Sequence, residues 1–563
     1  METSTLVMVT TMIGIAAITV LFWSLYPNPL PGIPYDPASR GRMLGDIPDF
    51  AARAQQTKET SQTLFLLPER LGVPVAQFLS TRFVRPMVLI NEPREVEDVL
   101  NRRNREFDRA PFTARLFQPL LPHSTVAQMT TPALRAQKRL IHAAALDLVA
   151  LWRLRARDAG GAPMSVLHDL DHAALDAIWI AVLGSPLGIV RRDIARSAQP
   201  AATKDNPQRK MVPKGTSESE SIASVEALQE AAEHMNWMIS ETLNSIWPRA
   251  RMLYLRCMPK YRRLRRTLDQ ELQRLIKTAH ERFKKSAVSD SKAGPPDMQE
   301  ACVMNLVLRR LVLAEAKTGL PLTDPTADPS ISQELLVFLS AGHESTGYSL
   351  SWFVKIMAAN QSAQATLRQK LQCAFPGQEM PSAAQILDAN IPYLSAAVEE
   401  LLRLSVPNGI VTRQAVVDTQ ILGYAIPRGT DVLLNTRCLH RPPHVPESVR
   451  SPTSQAALQR KGYQGREGES SGNLDAFEPQ RWLAKDEAGS EYFDPSALPS
   501  LQFGGGIRGC FGKKLAYQEL YIFLVVLLLN FEFRPLPKEL QDMGGKEAIF
   551  RSPNMCHVNL SLL

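Results

Sequence analysis

The chain has 563 residues, 45% of them hydrophobic and 21% charged, a balance that supports a large buried core and excludes a wholly disordered protein. Its 41 prolines and 30 glycines are too few and too unpatterned for a collagen-like or low-complexity chain. Lys and Arg number 64 against 56 Asp and Glu, a net charge of +8 that is too dilute over this length to indicate a nucleic-acid partner. The six cysteines, Cys257, Cys302, Cys373, Cys438, Cys510 and Cys556, lie far apart with no CxxC spacing. Neither a zinc site nor a disulfide framework is expected, and the bulk of the chain reads as cytosol-facing.

In chain order, Leu6 to Leu25 comes first, an uncharged apolar run. About 20 helical residues at ~1.5 Å each cover a ~30 Å hydrocarbon core, so residues 1–26 are expected to form a single membrane anchor. The leader METST carries only Glu2 and lacks the basic start of a cleavable signal peptide. Arg40 and Arg42 beyond the run place that side in the cytoplasm by the positive-inside rule. Pro27, Pro29, Pro31 and Pro34 make residues 27–36 a stiff, extended spacer, leaving 37–563 as the catalytic body.

Arg82 to Asn91 reads as a strand, with a helix start at Asn91-Glu92-Pro93. Most of Leu134 to Leu320 has helical periodicity, interrupted by the loop-like Pro200 to Ser221. Tyr261 to Lys285 is a basic amphipathic helix, read as a solvated face. A long helix is expected from a capping box at Ser330 and Gln333 to about Asn360. It is apolar nearly all round and must be buried, so Gly342-His343-Glu344-Ser345-Thr346 in its middle needs partners or a task. A helix beginning at Pro392 ends before Pro407. Alternating segments such as Gly409 to Val417 and the turn at Gly423 to Thr430 then predict a small sheet, and Pro446 to Asp475 reads as a surface insertion.

Phe503 to Gly512, FGGGIRGCFG, precedes a helical apolar run. Gly504, Gly506 and Gly509 satisfy G-x-G-x-x-G, but the poor strand before them and the missing βαβ unit argue against dinucleotide binding. The reading that fits is a backbone wrapped around a cysteine at a helix N-terminus, where amides and dipole stabilise a thiolate, the axial ligand that haem iron takes. With Phe503, Gly506, Arg508, Cys510 and Gly512 filling every fixed position of F-x-x-G-x-R-x-C-x-G, the chain resembles the cytochrome P450 family over essentially its whole length. That resemblance implies a mainly α fold with a small β region, haem b with Cys510 as the metal ligand, and Arg508 paired with a haem propionate.

Further residues follow from the same resemblance. Glu400 and Arg403, an E-x-x-R, together with Arg481 in Phe477-Glu478-Pro479-Gln480-Arg481-Trp482, are a fold-holding network without chemistry. Ala341 to Thr346 is similar to A-G-x-[DE]-T-[ST]; Gly342 lets the helix bend and leave space for dioxygen, and Glu344 and Ser345 relay protons, with Thr346 beside them. Serine stands where the family has threonine, so the hydroxyl is kept and the methyl that restricts its rotamer is lost. His343 is read as a polar residue exposed beside the kink. Lys138, in a segment similar to W-x-x-x-R, and Arg413 are further propionate contacts.

The resulting expectation is an endoplasmic-reticulum, single-pass haem-thiolate monooxygenase with a cytosolic catalytic domain. It oxidises a lipophilic small molecule with dioxygen, in secondary-metabolite biosynthesis. Electrons come from NADPH through NADPH-cytochrome P450 reductase docking near Lys513 and Lys514, and lipid is its membrane partner. Two rivals stand beside it, a haem-thiolate isomerase or dehydratase and a non-catalytic haem-binding sensor. The retained Glu344 and Ser345 argue against both.

Overall fold

The computed structural model describes residues 26–82, 84–111, 121, 142–198, 217–243, 245, 248–288, 302–305, 307–308, 324–377, 380–437, 444–461 and 473–563. The expected anchor Leu6 to Leu25 lies outside them; among the described residues no helix is long and apolar enough to cross a membrane. The chain divides into two compact units, one of Met1–Pro111, Asn408–Leu474 and Pro499–Gly509, the other of Phe112–Pro407, Asp475–Leu498 and Cys510–Leu563.

The first unit is built on a five-stranded sheet in the order Val75–Phe78, Met87–Ile90, Asp431–Asn435, Ile410–Ala415, Phe107–Arg109. Only the Met87–Ile90 and Asp431–Asn435 pair is parallel. Alternation along each strand sends side chains to opposite faces. Val75, Val88, Ile90, Val432 and Leu434 therefore join Val96, Val99 and Leu100 of helix Pro93–Asn101, while Ala76, Phe78, Leu89 and Leu433 cover Leu64, Phe65 and Leu67 of helix Thr60–Leu71.

Several boundaries differ from the sequence reading. The strand read from Arg82 to Asn91 is only Met87–Ile90, because Pro86 has no N–H to give a ladder. Helix Pro93–Asn101 starts as expected, with the Glu92 carboxylate accepting from the Glu95 amide at 2.6 Å. The proline-rich spacer forms no helix, yet part of it is docked: Ile33 is buried, and the Gln77 side-chain amide donates to the Leu30 and Ile33 carbonyls at 2.9 and 2.7 Å. Pro446 to Asp475 is not wholly a surface insertion. Its described part carries helix Pro452–Lys461, and buried Arg450 pairs with Glu92 at 2.8 Å.

The second unit is helical, with small sheets of two or three strands. Its longest described helix, Pro329–Ala359, starts two residues earlier than the Ser330–Gln333 box predicts. Asp328 is the N-cap, its carboxylate accepting from the Ser330 amide at 2.8 Å and from the Ser330 hydroxyl at 2.6 Å. That leaves Ser330 as a donor, with Pro329 at the first helical position. Helix Pro392–Ser405 begins at its proline as expected and stops at Val406, left-handed at φ 45°, because Pro407 follows. Basic helix Pro259–Val288 buries Leu264, Leu268, Leu272, Ile276 and Ala279 at helical spacing, which leaves its charges on the solvated face. Residues Ser217 to Ser221, assigned to a loop by composition, are already helical in Ser217–Leu243.

The long helix lies close against helix Leu167–Leu183. A Cβ on Gly342 would sit 2.5 Å from Ile178 Cδ1, and one on Gly347 would sit 3.2 Å from Asp171 Cα. The helix continues through Gly342, and this glycine serves a close helix contact.

Candidate functional site

In the first unit, three arginines gather around one carboxylate. Arg109 and Arg413 are directly opposite in the antiparallel pairing of Phe107–Arg109 with Ile410–Ala415. Arg508, from the single turn Gly506–Arg508, reaches Asp108 at 3.5 Å. Arg413 is 6% exposed, and its guanidinium is pulled down to about 10 by burial and then by the charges of Arg109 and Arg508, against the help of Asp108. Three guanidinium groups around one carboxylate form a cationic cluster suited to a group that brings carboxylates.

The glycine-rich loop is shaped by its neighbours in the same unit. Asn101 Oδ1 accepts from the Gly506 amide at 3.0 Å. A Cβ at Gly505 would overlap Asn101, and one at Gly506, where φ is +62°, would lie 2.5 Å from the Leu100 carbonyl oxygen. These glycines therefore let the loop lie against the C-terminal turn of helix Pro93–Asn101.

The chain enters the second unit at Cys510, an exposed residue two positions before Gly512, the N-cap of helix Lys513–Asn530. Burial of the sulfur by the surrounding chain pushes the thiol up, and the amides of Gly512 and Lys513 with the Lys513 ammonium pull the other way without prevailing. The amides are placed to support a thiolate once a metal takes the proton's place.

On the long helix the four polar residues His343, Glu344, Ser345 and Thr346 separate by face. Ser345 Oγ donates to the Ala341 carbonyl at 2.7 Å, on the more open side of the helix. Thr346 is buried and donates to Glu519 Oε2 at 2.6 Å. Glu519 sits in helix Lys513–Asn530, and burial raises its carboxyl to about 8 with the Thr346 bond working against it. Glu344 is raised to about 7, first by burial, then by Asp171; His343 and hydrogen bonds to Asn236 and Tyr348 moderate the rise. His343 is not exposed: it is 2% accessible and its Nε2 lies 2.9 Å from Asp171 Oδ1. The sequence reading missed this because the partner is 172 positions away and histidine carries no apolar signal.

The E-x-x-R network is complete. Arg403 Nε and one terminal nitrogen donate to the two Glu400 oxygens at 2.8 Å each, and Arg481 Nε reaches Oε1 at 3.3 Å. Trp482 Nε1 and the Glu478 amide add 3.0 and 3.1 Å bonds to the same carboxylate, two donors that the motif does not announce. Lys138 lies outside the described residues. Arg109 and Asp108 were missed; only the strand register sets Arg109 opposite Arg413.

A family model described as Cytochrome P450 matches residues 77–447 and 473–555. The chain belongs to the cytochrome P450 family. Two similar relatives are fungal. This P450 is 31% identical over 561 residues to cytochrome P450 monooxygenase GME11363 of Pestalotiopsis microspora, covering 95% of this chain and 94% of that one. It is 29% identical to cytochrome P450 monooxygenase TRI13 of Fusarium sporotrichioides, covering 96% of each. The heme domain of cytochrome P450DA superposes with a TM-score of 0.61 at 16% identity, covering 96% of this chain and 98% of that one, a likeness of fold. This P450 is a monooxygenase, an oxidoreductase enzyme, and its family implies a haem-thiolate iron, a redox partner, dioxygen and a lipophilic substrate. The arginine cluster of the first unit suits the carboxylates of such a group, and in the second unit Cys510, with the Gly512 and Lys513 amides directed at its sulfur, suits an iron.

Proposed function

We propose that this P450 is a membrane-anchored haem-thiolate monooxygenase of secondary-metabolite biosynthesis that oxidises a lipophilic small molecule with electrons from NADPH. Cys510 is the axial ligand, Arg508 and Arg413 with Arg109 hold the propionates, and Leu6 to Leu25 anchors the chain in the endoplasmic reticulum with its catalytic domain in the cytosol. NADPH-cytochrome P450 reductase is the electron donor. The observation that carries the reading is the clustering of Arg109, Arg413 and Arg508 around Asp108. Fungal relatives named as monooxygenases support the reaction class and its setting.

Haem bound there supplies the reduction of dioxygen and the transfer of one oxygen atom to the substrate. The chain's own task is to orient the group and deliver protons. Glu344, poised at about 7, can give up a proton near neutral pH and regain it. The Ser345 hydroxyl has its hydrogen on the Ala341 carbonyl, which leaves its oxygen able to accept; rotation about its Cα–Cβ bond makes it a donor on the open face. Thr346 is held by Glu519 in the interior and takes no part in that relay.

The test is expression of the full chain with a fungal reductase under isotopically heavy dioxygen, with metabolite extracts compared against cells lacking it. A new NADPH-dependent product carrying one heavy oxygen is expected. A product formed without NADPH and without heavy oxygen would establish the isomerase or dehydratase instead, and haem binding without any product would establish the sensor.

A further inference from the structure

His343 precedes the acid of the relay by one residue and is buried on the side of the long helix that carries Ser340, Glu344, Gly347 and Tyr348. Its ring nitrogen lies 2.9 Å from Asp171 of helix Leu167–Leu183, close because Gly347 leaves room for the Asp171 backbone. From Ser217–Leu243, buried Asn236 accepts from the Ser340 hydroxyl, donates to the Ser340 carbonyl at 3.4 Å and faces the Glu344 carboxyl. Tyr348 faces that carboxyl from one turn along. Behind the pair, His172 meets Asp193 at 2.8 Å and Gln229 at 2.9 Å, and Gln229 holds Glu233, which opens to solvent. His168 also faces Asp171, and Arg192 faces Asp193.

We propose that the buried His343–Asp171 ion pair is a positioning element for proton transfer in this P450, presenting a fixed cation beside Glu344 that sets the pH at which its carboxyl releases a proton. The proposal rests on the reading of Glu344 as the relay acid.

Two physical points support it. Burial would push His343 down and Asp171 up, yet their contact reverses both, so the histidine is raised and the aspartate lowered, the direction that favours the charged pair. On Glu344 the two members act in opposite senses, His343 lowering it more than Asp171 raises it, so the pair as a whole favours the ionised acid. Without that bias a carboxyl this buried would stay protonated well above neutrality and give up its proton reluctantly.

The test is an infrared titration of the purified full-length holoenzyme, following the protonated-carboxyl band that E344Q removes, alongside the pH profile of product formed per NADPH oxidised. H343Q, which keeps a donor near Asp171, should move the midpoint of that band up by about one pH unit, the effect of losing an opposite charge nearby. The coupling profile should move with it. H343Q/D171N, which leaves no lone buried charge and so keeps the fold testable, should move it in the same direction by less. An unchanged midpoint in both variants would overturn the proposal. So would a coupling profile that H343Q shifts equally in an E344Q background, since the pair would then act elsewhere. If E344Q removes no titrating band and leaves the coupling profile unaltered, Glu344 is not the relay acid, and that reading falls together with the pair's role.

Discussion

Ser345 and Thr346 are neighbours with different surroundings, and that difference decides what each substitution does. Ser345 bonds only a helix carbonyl, an interaction that costs little to lose, so S345A should leave haem content and stability nearly unchanged. If its hydroxyl moves protons, product per NADPH should fall by about 10²-fold, with reducing equivalents appearing as hydrogen peroxide. T346A should behave in the opposite way, keeping its coupling while losing about 1–3 kcal/mol, because Glu519 is left buried without its donor. Thermal unfolding and peroxide yield on the two variants check both statements. The order of these residues was legible in the sequence, since ~100° per residue turns Thr346 away from Ser345. What Thr346 turns toward was not, for Glu519 lies 173 residues on. The burial of His343 by Asp171 stayed hidden for the same reason.

Among the elements, the long helix and the E-x-x-R helix make the strongest structural demands. Arg403 and Glu400 are almost wholly buried, and Glu400 receives bonds from Arg403, Arg481, Trp482 and the Glu478 amide. Removing the arginine leaves a buried carboxylate short of its main counter-charge, so R403A should cost ~3–5 kcal/mol and yield little haem-loaded protein on expression. The close contact of the long helix with Leu167–Leu183 can be tested at Gly342. Alanine gains up to ~1 kcal/mol of helix propensity, while overpacking against Ile178 costs typically 1–3 kcal/mol, so the clash should win and G342A should be less stable. In an I178A background the obstructing atoms are gone, and G342A should become neutral or stabilising by chemical denaturation. Helix positions here were legible from proline, glycine and apolar spacing. The neighbour that Gly342 admits was not, because Ile178 lies far away along the chain. The cap at Asp328 was passed over for Ser330 because both residues are good caps, and only the placement of Pro329 at the first helical position decides between them.

For the whole molecule, buried acids tie stability to pH. Glu95, Glu344 and Glu519 are raised to about 7, 7 and 8, chiefly by burial. Each keeps its proton in the folded state after the unfolded chain has lost it, so the folded form binds more protons between about pH 4.5 and pH 8 and stability falls as pH rises through that range. His343, raised by Asp171, adds to the same trend above its ordinary value of 6.5, whereas His234 and His557, lowered by burial, oppose it below that value. The melting temperature of the holoprotein should therefore be higher at pH 6 than at pH 8.5, and E519Q, which cannot ionise, should flatten the slope. An increase of Tm with pH over that interval would contradict the charge states assigned to these acids.

The identity of the molecule rests on contiguous residues, Phe503 to Gly512 and Glu400 to Arg403, which is why family, fold and reaction class could be read from the sequence. The arginine cluster could not be read in full, because Arg109 meets Arg413 only through strand register. Cys510 remains the residue on which the chemistry turns, and the carbon monoxide difference spectrum of the reduced full-length protein tests it most directly. The native chain should show the thiolate-type band, and C510A should lack it while retaining its helical circular dichroism. The same band in C510A would contradict the assignment of Cys510 as the haem ligand.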